Sequence, residues 1–250
     1  MLSPMELHGK TAVITGASRG LGAGLARDFH ARGMNLGLCA RSPLPLVDAP
    51  RTLCTRLDVA DAKAVDAFAA QVLERFGAID LWINNAGVLA PIAALRDVSD
   101  ADAEVHWRIN VNGVLYGTRA YVRQLHARGH EGVLINISSG AARNPYAGWS
   151  IYCAGKAAVD RMTECVQEEE RDAGLRAYSV APGVIDTDMQ AEVRASDPAA
   201  FPQLGRFLEL KRQGAFNTPE IVAEHLLAMA FDPERRPTQV CVQVPMPRLP

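Results

Sequence analysis

Tyr152 and Lys156 stand four residues apart in the stretch Ser150-Ile-Tyr-Cys-Ala-Gly-Lys156, on a segment with a helical pattern. That spacing puts a phenol and an ammonium on one helical face. A free tyrosine titrates at about 10 and is almost wholly protonated at neutral pH. A unit positive charge about 5 Å away, at an effective dielectric of about 20, favours the phenolate by roughly 3 kcal/mol, or about two pKa units. The pair therefore predicts a proton donor and acceptor brought toward working pH. Taken alone it is weak, because any amphipathic helix can carry a half-buried Tyr beside a solvated Lys. Ser139 lies thirteen residues before the tyrosine and offers a hydroxyl for the same chemistry.

A second candidate site lies near the N-terminus. The apolar run Lys10–Thr15 leads into Gly16-Ala17-Ser18-Arg19-Gly20-Leu21-Gly22, and a helical pattern follows. Glycines at such a turn let the backbone approach a pyrophosphate, whose charge the free N–H groups and dipole of the helix favour. The spacing is TGxxxGxG rather than the commoner GxGxxG. A unit of this kind that prefers NAD usually ends its second strand on a carboxylate for the ribose 2′-OH. Here that strand ends Cys39-Ala40-Arg41-Ser42. With no carboxylate to repel a 2′-phosphate and Arg41 placed to bind it, NADP fits better, with Arg19 as a second positive charge. Two solvated surface arginines are the plain alternative.

These residues need a scaffold that brings distant turns together. Apolar β-type runs near 10–15, 35–40, 52–57, 79–83, 132–138, 175–181 and 239–244 alternate with helical patterns near 20–32, 61–76, 100–128, 150–173 and 219–230. The alternation predicts an α/β fold, a doubly wound parallel sheet of seven strands in a single domain. Asn84-Asn85-Ala86-Gly87 follows the fourth strand, Asn110-Val-Asn-Gly113 sits within the long helix, and Pro182-Gly183-Val-Ile185-Asp-Thr187 follows the sixth strand. All fall where doubly wound sheets bind ligands, at strand carboxyl ends or on helices facing that crevice.

The chain's 250 residues are 48% hydrophobic, enough for a full core without disulfides or metals. Twenty-six basic against 28 acidic residues leave a net charge of −2, with no general attraction for nucleic acid or anionic membrane. The five cysteines form no CxxC or Cys/His cluster, so neither a metal site nor a disulfide framework is expected. The N-terminus lacks a signal-type apolar region, and no apolar run approaches the ~20 residues of a membrane span. A cytoplasmic enzyme acting on a small molecule is the expectation.

Together, TGxxxGxG, Asn-Asn-Ala-Gly, Asn110, Ser139, Tyr-x-x-x-Lys and Pro-Gly-x-x-x-Thr resemble the short-chain dehydrogenase/reductase family, over roughly Lys10 to Val244. The resemblance implies a Rossmann fold and an NADP(H)-dependent oxidoreductase of the carbonyl reductase or alcohol dehydrogenase type. It implies that Tyr152 protonates a carbonyl oxygen to which Ser139 hydrogen-bonds. Lys156 would lower the tyrosine pKa and bind the nicotinamide ribose with Tyr152, while Asn110 would hold a water leading to bulk solvent. For the cofactor it implies Gly16, Ser18, Arg19, Gly20, Leu21 and Gly22 at the pyrophosphate, and Arg41 and Ser42 at the 2′-phosphate. Asp58 and Val59 would flank the adenine, Asn84, Ala86 and Gly87 the ribose, and Pro182, Gly183, Ile185 and Thr187 the carboxamide. Asp58 is equally suited to cap the helix near 61.

Asn144, Tyr146, Trp149 and Met189 suggest an apolar-walled substrate pocket for a carbonyl or alcohol compound, or else core packing. The less periodic segment 188–216 reads as a lid, or as a surface loop without ligand contact. Pro43, Pro45 and Pro50 leave no room for a helix between the second and third strands. By resemblance the helices at 100–128 and 150–173 form a two-fold dimer, and the unusual C-terminal end leaves dimer or tetramer open. An epimerase or dehydratase using the same tyrosine, and a non-catalytic NADP-binding regulator, are the alternatives; the first needs a larger substrate domain, and the second has no need of Ser, Tyr and Lys together.

Overall fold

The apolar runs become strands, the inner five buried on both faces and the two edge ones partly exposed, which is why the inner runs read as near-continuous hydrophobic stretches rather than alternating ones. In the computed structural model, which describes residues 5–44, 50–129 and 131–246, they are β1 (Thr11–Thr15), β2 (Asn35–Ala40), β3 (Thr52–Arg56), β4 (Leu81–Asn84), β5 (Gly132–Ile137), β6 (Leu175–Ala181) and β7 (Cys241–Gln243). All pair in parallel, in the order β3-β2-β1-β4-β5-β6-β7. The order reverses between β1 and β4, and the crevice outside their carboxyl ends is where such sheets bind ligands.

Helices cover both faces. Against one lie α1 (Gly20–Ala31) and α8 (Pro219–Phe231), packing Leu25, Phe29, Val222 and Leu226 on Ile14, Leu38 and Ile83. Against the other lie α2 (Ala62–Phe76), α4 (Gly113–Arg128) and α5 (Ser150–Glu170), with Phe68, Val72 and Tyr121 on Val13 and Trp82. Neighbours Val13 and Ile14 serve opposite cores, as the period of two requires. Thr218 caps α8 by accepting from the Ile221 N–H, with Pro219 in its first turn.

Two expectations about the helices change. The expected helix at 100–128 is three pieces: α3 (Asp100–Trp107), a π-helical turn at Arg108–Asn112, and α4. The N-cap of α2 is Asp61, which accepts from the N–H groups of Lys63 and Ala64, whereas Asp58 closes the preceding turn onto the Ala60 N–H. The segment expected at 188–216 contains α6 (Asp188–Arg194) and α7 (Leu204–Gln213). Its Val193, Phe201, Leu204 and Phe207 form a third apolar cluster with Trp149 and Tyr152. The expectation of no helix in the β2–β3 crossover falls largely on residues 45–49, and that of an unusual C-terminal end on 247–250, both outside the described residues. Among the described residues no helix is long and apolar enough to cross a membrane.

Candidate active site

One cleft of about 960 Å³ runs along the carboxyl ends of the strands, from Arg41 at the end of β2 to Tyr152 in the first turn of α5. It is lined by Gly16, Ser18, Arg19, Gly20, Leu21 and Gly22, by Ser42, Asp58, Val59, Ala86 and Gly87, and by Ser139, Lys156, Pro182, Gly183, Ile185 and Thr187. Nearly every residue singled out from the sequence is thus brought to one surface. Gly16, at φ +67°, makes the turn out of β1, and a Cβ there would sit 2.7 Å from the Ala86 Cα. The glycine loop and the turn after β4 are therefore in backbone contact, a close approach only glycine allows.

Two expected residues do not line the cleft. The Asn84 side chain is buried, accepting from Trp82 Nε1 at 2.8 Å and donating to Asn136 Oδ1 at 2.8 Å and Thr118 Oγ1 at 3.2 Å. Its amide, with donors and acceptor engaged, ties β4 to β5 and α4, and it is corrected from ribose contact to internal brace. Asn85, passed over in the sequence, lines the cleft and donates to the Thr15 carbonyl at 2.9 Å. Asn110 is fully buried in the π-turn behind Gly87 and Val88. Its Oδ1 accepts from the Val88 N–H at 2.8 Å and its Nδ2 donates to the Val88 carbonyl at 2.7 Å and to His106 Nε2 at 2.7 Å.

At the floor of the cleft the buried Tyr152 phenol lies beside the Ser139 side chain, whose Oγ accepts from the Ala141 N–H at 3.2 Å. Ser138 is otherwise engaged, its hydroxyl donating to Asp160 Oδ1 at 2.5 Å. Lys156 Nζ donates to the Ile137 carbonyl at 2.8 Å and lies 5.9 Å from the centre of the Tyr152 ring. Burial pushes the lysine down to about 8, against a smaller opposing pull from Asp160. The expected lowering of the tyrosine pKa is not what this geometry produces. Burial raises it, outweighing the opposing influence of the neighbouring Ser139 side chain. The lysine is directed at a carbonyl and its own charge is weakened, so desolvation of the phenolate wins.

At the other end Arg41 and Arg19 are both exposed, but Arg19 is drawn to Asp188 at 3.1 Å. Arg56 donates from Nε to the Arg41 carbonyl at 2.9 Å and fixes that strand end. Around Tyr152 the wall is apolar: Trp149 stacks on Phe201 with centroids 4.5 Å apart and meets Tyr152 edge-on at 5.6 Å. Tyr146, Met189, Phe207 and Leu210 continue the wall, and Asn144 and Arg206 stand at the rim, where Arg206 donates to the Tyr146 hydroxyl at 3.2 Å.

Residues 10–198 match the family model described as short chain dehydrogenase. The chain is 30% identical over 231 residues to benzil reductase ((S)-benzoin forming) of Bacillus subtilis (strain 168), covering 90% of this chain and 93% of that protein. Among solved structures it resembles the KRED1-Pglu enzyme, with a TM-score of 0.80 and 30% identity over 88% of this chain and 94% of that one. A 3-ketoacyl-(acyl-carrier-protein) reductase from Brucella melitensis complexed with NADH superposes with a TM-score of 0.77 at 25% identity, covering 96% and 98% of the two chains.

Proposed function

The chain belongs to the short chain dehydrogenase family, and from that premise we propose that it is an NADP(H)-dependent carbonyl reductase acting on apolar, aryl-bearing ketones or diketones. The observation that carries this reading is the buried Tyr152 phenol, beside Ser139 beneath an aromatic wall, at one end of a cleft whose other end carries Arg41 and no carboxylate at Ala40.

The cleft fits a dinucleotide. Its volume of about 960 Å³ lies at the upper end of the roughly 300–1,000 Å³ range of ligand sites. The glycine loop opens onto the start of α1, where free N–H groups favour a pyrophosphate. Arg41, Ser42 and Arg19 would hold a 2′-phosphate. Asp58 and Val59 would flank the adenine, Ala86 and Gly87 the nearer ribose, Lys156 and Tyr152 the nicotinamide ribose, and Pro182, Gly183, Ile185 and Thr187 the carboxamide. When bound, the nicotinamide supplies the hydride. Ser139 and Tyr152 orient the substrate carbonyl by hydrogen bonds to its oxygen, and Tyr152 delivers the proton from its hydroxyl. Burial keeps the phenol of the cofactor-free chain protonated, the form that a reduction starts from. Asn110 acts from behind the cleft: its side chain is spent on Val88 and His106, so a water near Lys156 would rest on main-chain oxygen.

The apolar wall of Tyr146, Trp149, Phe207 and Leu210 suits aryl groups, and the relationship to a benzil reductase supports the same substrate class. The test is oxidation of NADPH and of NADH with benzil, aryl alkyl ketones, short aliphatic ketones and sugars. NADPH-dependent turnover of the aryl compounds is expected; a preference for NADH, or turnover confined to sugars, overturns the reading.

A further inference from the structure

His106 is fully buried in the last turn of α3, four residues before Asn110 and on the same side of the chain. Its tautomer follows from the Ala90 carbonyl that its Nδ1 faces, with the Asn110 amide beside the ring. The Val88 N–H can only donate and the Val88 carbonyl can only accept, so Asn110 Oδ1 must face the first and Nδ2 the second. The Asn110 Nδ2, a donor, lies 2.7 Å from His106 Nε2 and 3.4 Å from Nδ1, so it sits beside a ring whose Nε2 is unprotonated in the neutral form that donates from Nδ1. The ring proton then sits on Nδ1, 2.8 Å from the Ala90 carbonyl that receives it. The same ring meets Tyr152 edge-on, centroids 6.0 Å apart and planes at 85°. Lys156 and Tyr152 on α5 are the titratable side chains that face it. Burial, reinforced by the nearby Lys156 charge, lowers the His106 pKa and keeps the neutral form.

One imidazole thus touches three parts of the site at once: the asparagine of the π-turn, the segment that follows the Asn-Asn-Ala-Gly turn, and the tyrosine ring. A leucine would fill the space but leave the Asn110 amide and the Ala90 carbonyl each short of a partner. We infer that His106 is a positioning residue for the reaction, a neutral Nδ1–H imidazole that holds Asn110 and the Tyr152 ring in register with residues 88–90. The inference rests on the reductase reading for its kinetic consequence but not for its geometry.

The experiment has two arms. In the cofactor-free protein, 15N chemical shifts of His106 at about pH 7 report the tautomer. A protonated Nδ1 with a hydrogen-bonded, unprotonated Nε2 is expected, with the Nε2 shift moving in Asn110→Ala. The reverse tautomer, or an Nε2 indifferent to Asn110→Ala, overturns the inference even if no carbonyl compound is ever turned over. In the kinetic arm, His106→Leu, His106→Gln, Asn110→Ala and the double variant His106→Leu/Asn110→Ala are compared with NADPH and the best ketone. His106→Leu should lower kcat about tenfold or more while the NADPH Kd moves less than about threefold. Glutamine, which can accept from Asn110 and donate to Ala90, should recover most of the loss. The double variant should be no worse than Asn110→Ala alone, because the two side chains act as one unit. An unchanged kcat in folded His106→Leu, failure of glutamine to rescue, or fully additive losses sinks the inference. A wild-type enzyme that reduces no ketone while His106 shows the expected tautomer instead sinks the reductase reading.

Discussion

At the scale of single residues, the site turns on which effect sets the proton affinities of Tyr152 and Lys156. A bare Coulomb estimate from their spacing favours a phenolate, but it ignores that both groups are buried and that Lys156 Nζ is turned to the Ile137 carbonyl. Desolvation then raises the phenol and lowers the ammonium to about 8. The sign for a reduction follows directly: the phenol stays protonated through neutral pH, while Lys156 is charged below about 8 and loses that charge above it. kcat/KM for NADPH, which reports groups of the free enzyme, should therefore be level below about pH 7.5 and fall as pH rises through 8. A profile level to about pH 10 contradicts this assignment. Tyr152→Phe should abolish turnover and leave NADPH affinity nearly unchanged, because only the hydroxyl moves the proton. Ser139→Ala should lose about 2–4 kcal/mol of transition-state stabilisation, read as the drop in kcat/KM for the ketone. Substantial turnover by Tyr152→Phe removes the mechanism.

The elements carry these residues with unequal legibility. Strands such as β1 and β5 are plain in the sequence because burial on both faces leaves unbroken apolar runs between glycines and polar turns. The break between α3 and α4 is not, because the π-turn is held by Asn110 bonding Val88, 22 residues away, and no local propensity announces such a contact. Asn84 is misread for a related reason: a polar residue at a strand end looks the same whether it faces a ligand or a buried network of Trp82, Thr118 and Asn136. His106 left one signal, its i,i+4 spacing from Asn110. Asp58 and Asp61 both suit a cap, and only the geometry separates them. Asp61→Ala should consequently cost about 0.5–2 kcal/mol of stability and lower the Tm, with Asp58→Ala altering cofactor affinity more than Tm. Arg41 belongs to this scale too, since the end of β2 and its tie to Arg56 decide where the guanidinium stands. Arg41→Ala should weaken NADPH by about 1.5–3 kcal/mol with little effect on NADH. Arg19→Ala should cost less, because Arg19 is already paired with Asp188 of α6. Equal losses for both cofactors, measured as kcat/KM, rule out a 2′-phosphate role for Arg41.

At the scale of the whole molecule, the sheet reversal places the cleft on one end, and α6 and α7, with Phe201 between them, pack Val193, Leu204 and Phe207 into one apolar cluster with Trp149 and Tyr152. The outer surface of α3 and α4 is a different matter. Val105 and Leu115 are 53% and 39% exposed there, on the two helices that flank the π-turn of Asn110, α3 packing on α5 and α4 on α2 and β5. Water-facing apolar side chains on two consecutive helices behind the active site are what a two-fold contact would cover, since a symmetric interface buries the same patch on both copies. We therefore expect a homodimer built on α3, α4 and α5, so that sedimentation at micromolar concentration gives two copies of the 27.0 kDa chain or a multiple of that pair. Val105→Asp with Leu115→Asp should shift the protein to monomers without loss of helix signal, because both positions point away from the core. His106 of α3 and Asn110 of the π-turn between the helices are buried beneath this surface, so the monomeric variant should also lose turnover more than it loses NADPH affinity. A wild-type protein that sediments as a monomer, or a double variant that stays dimeric, shows that these exposed side chains serve no self-association.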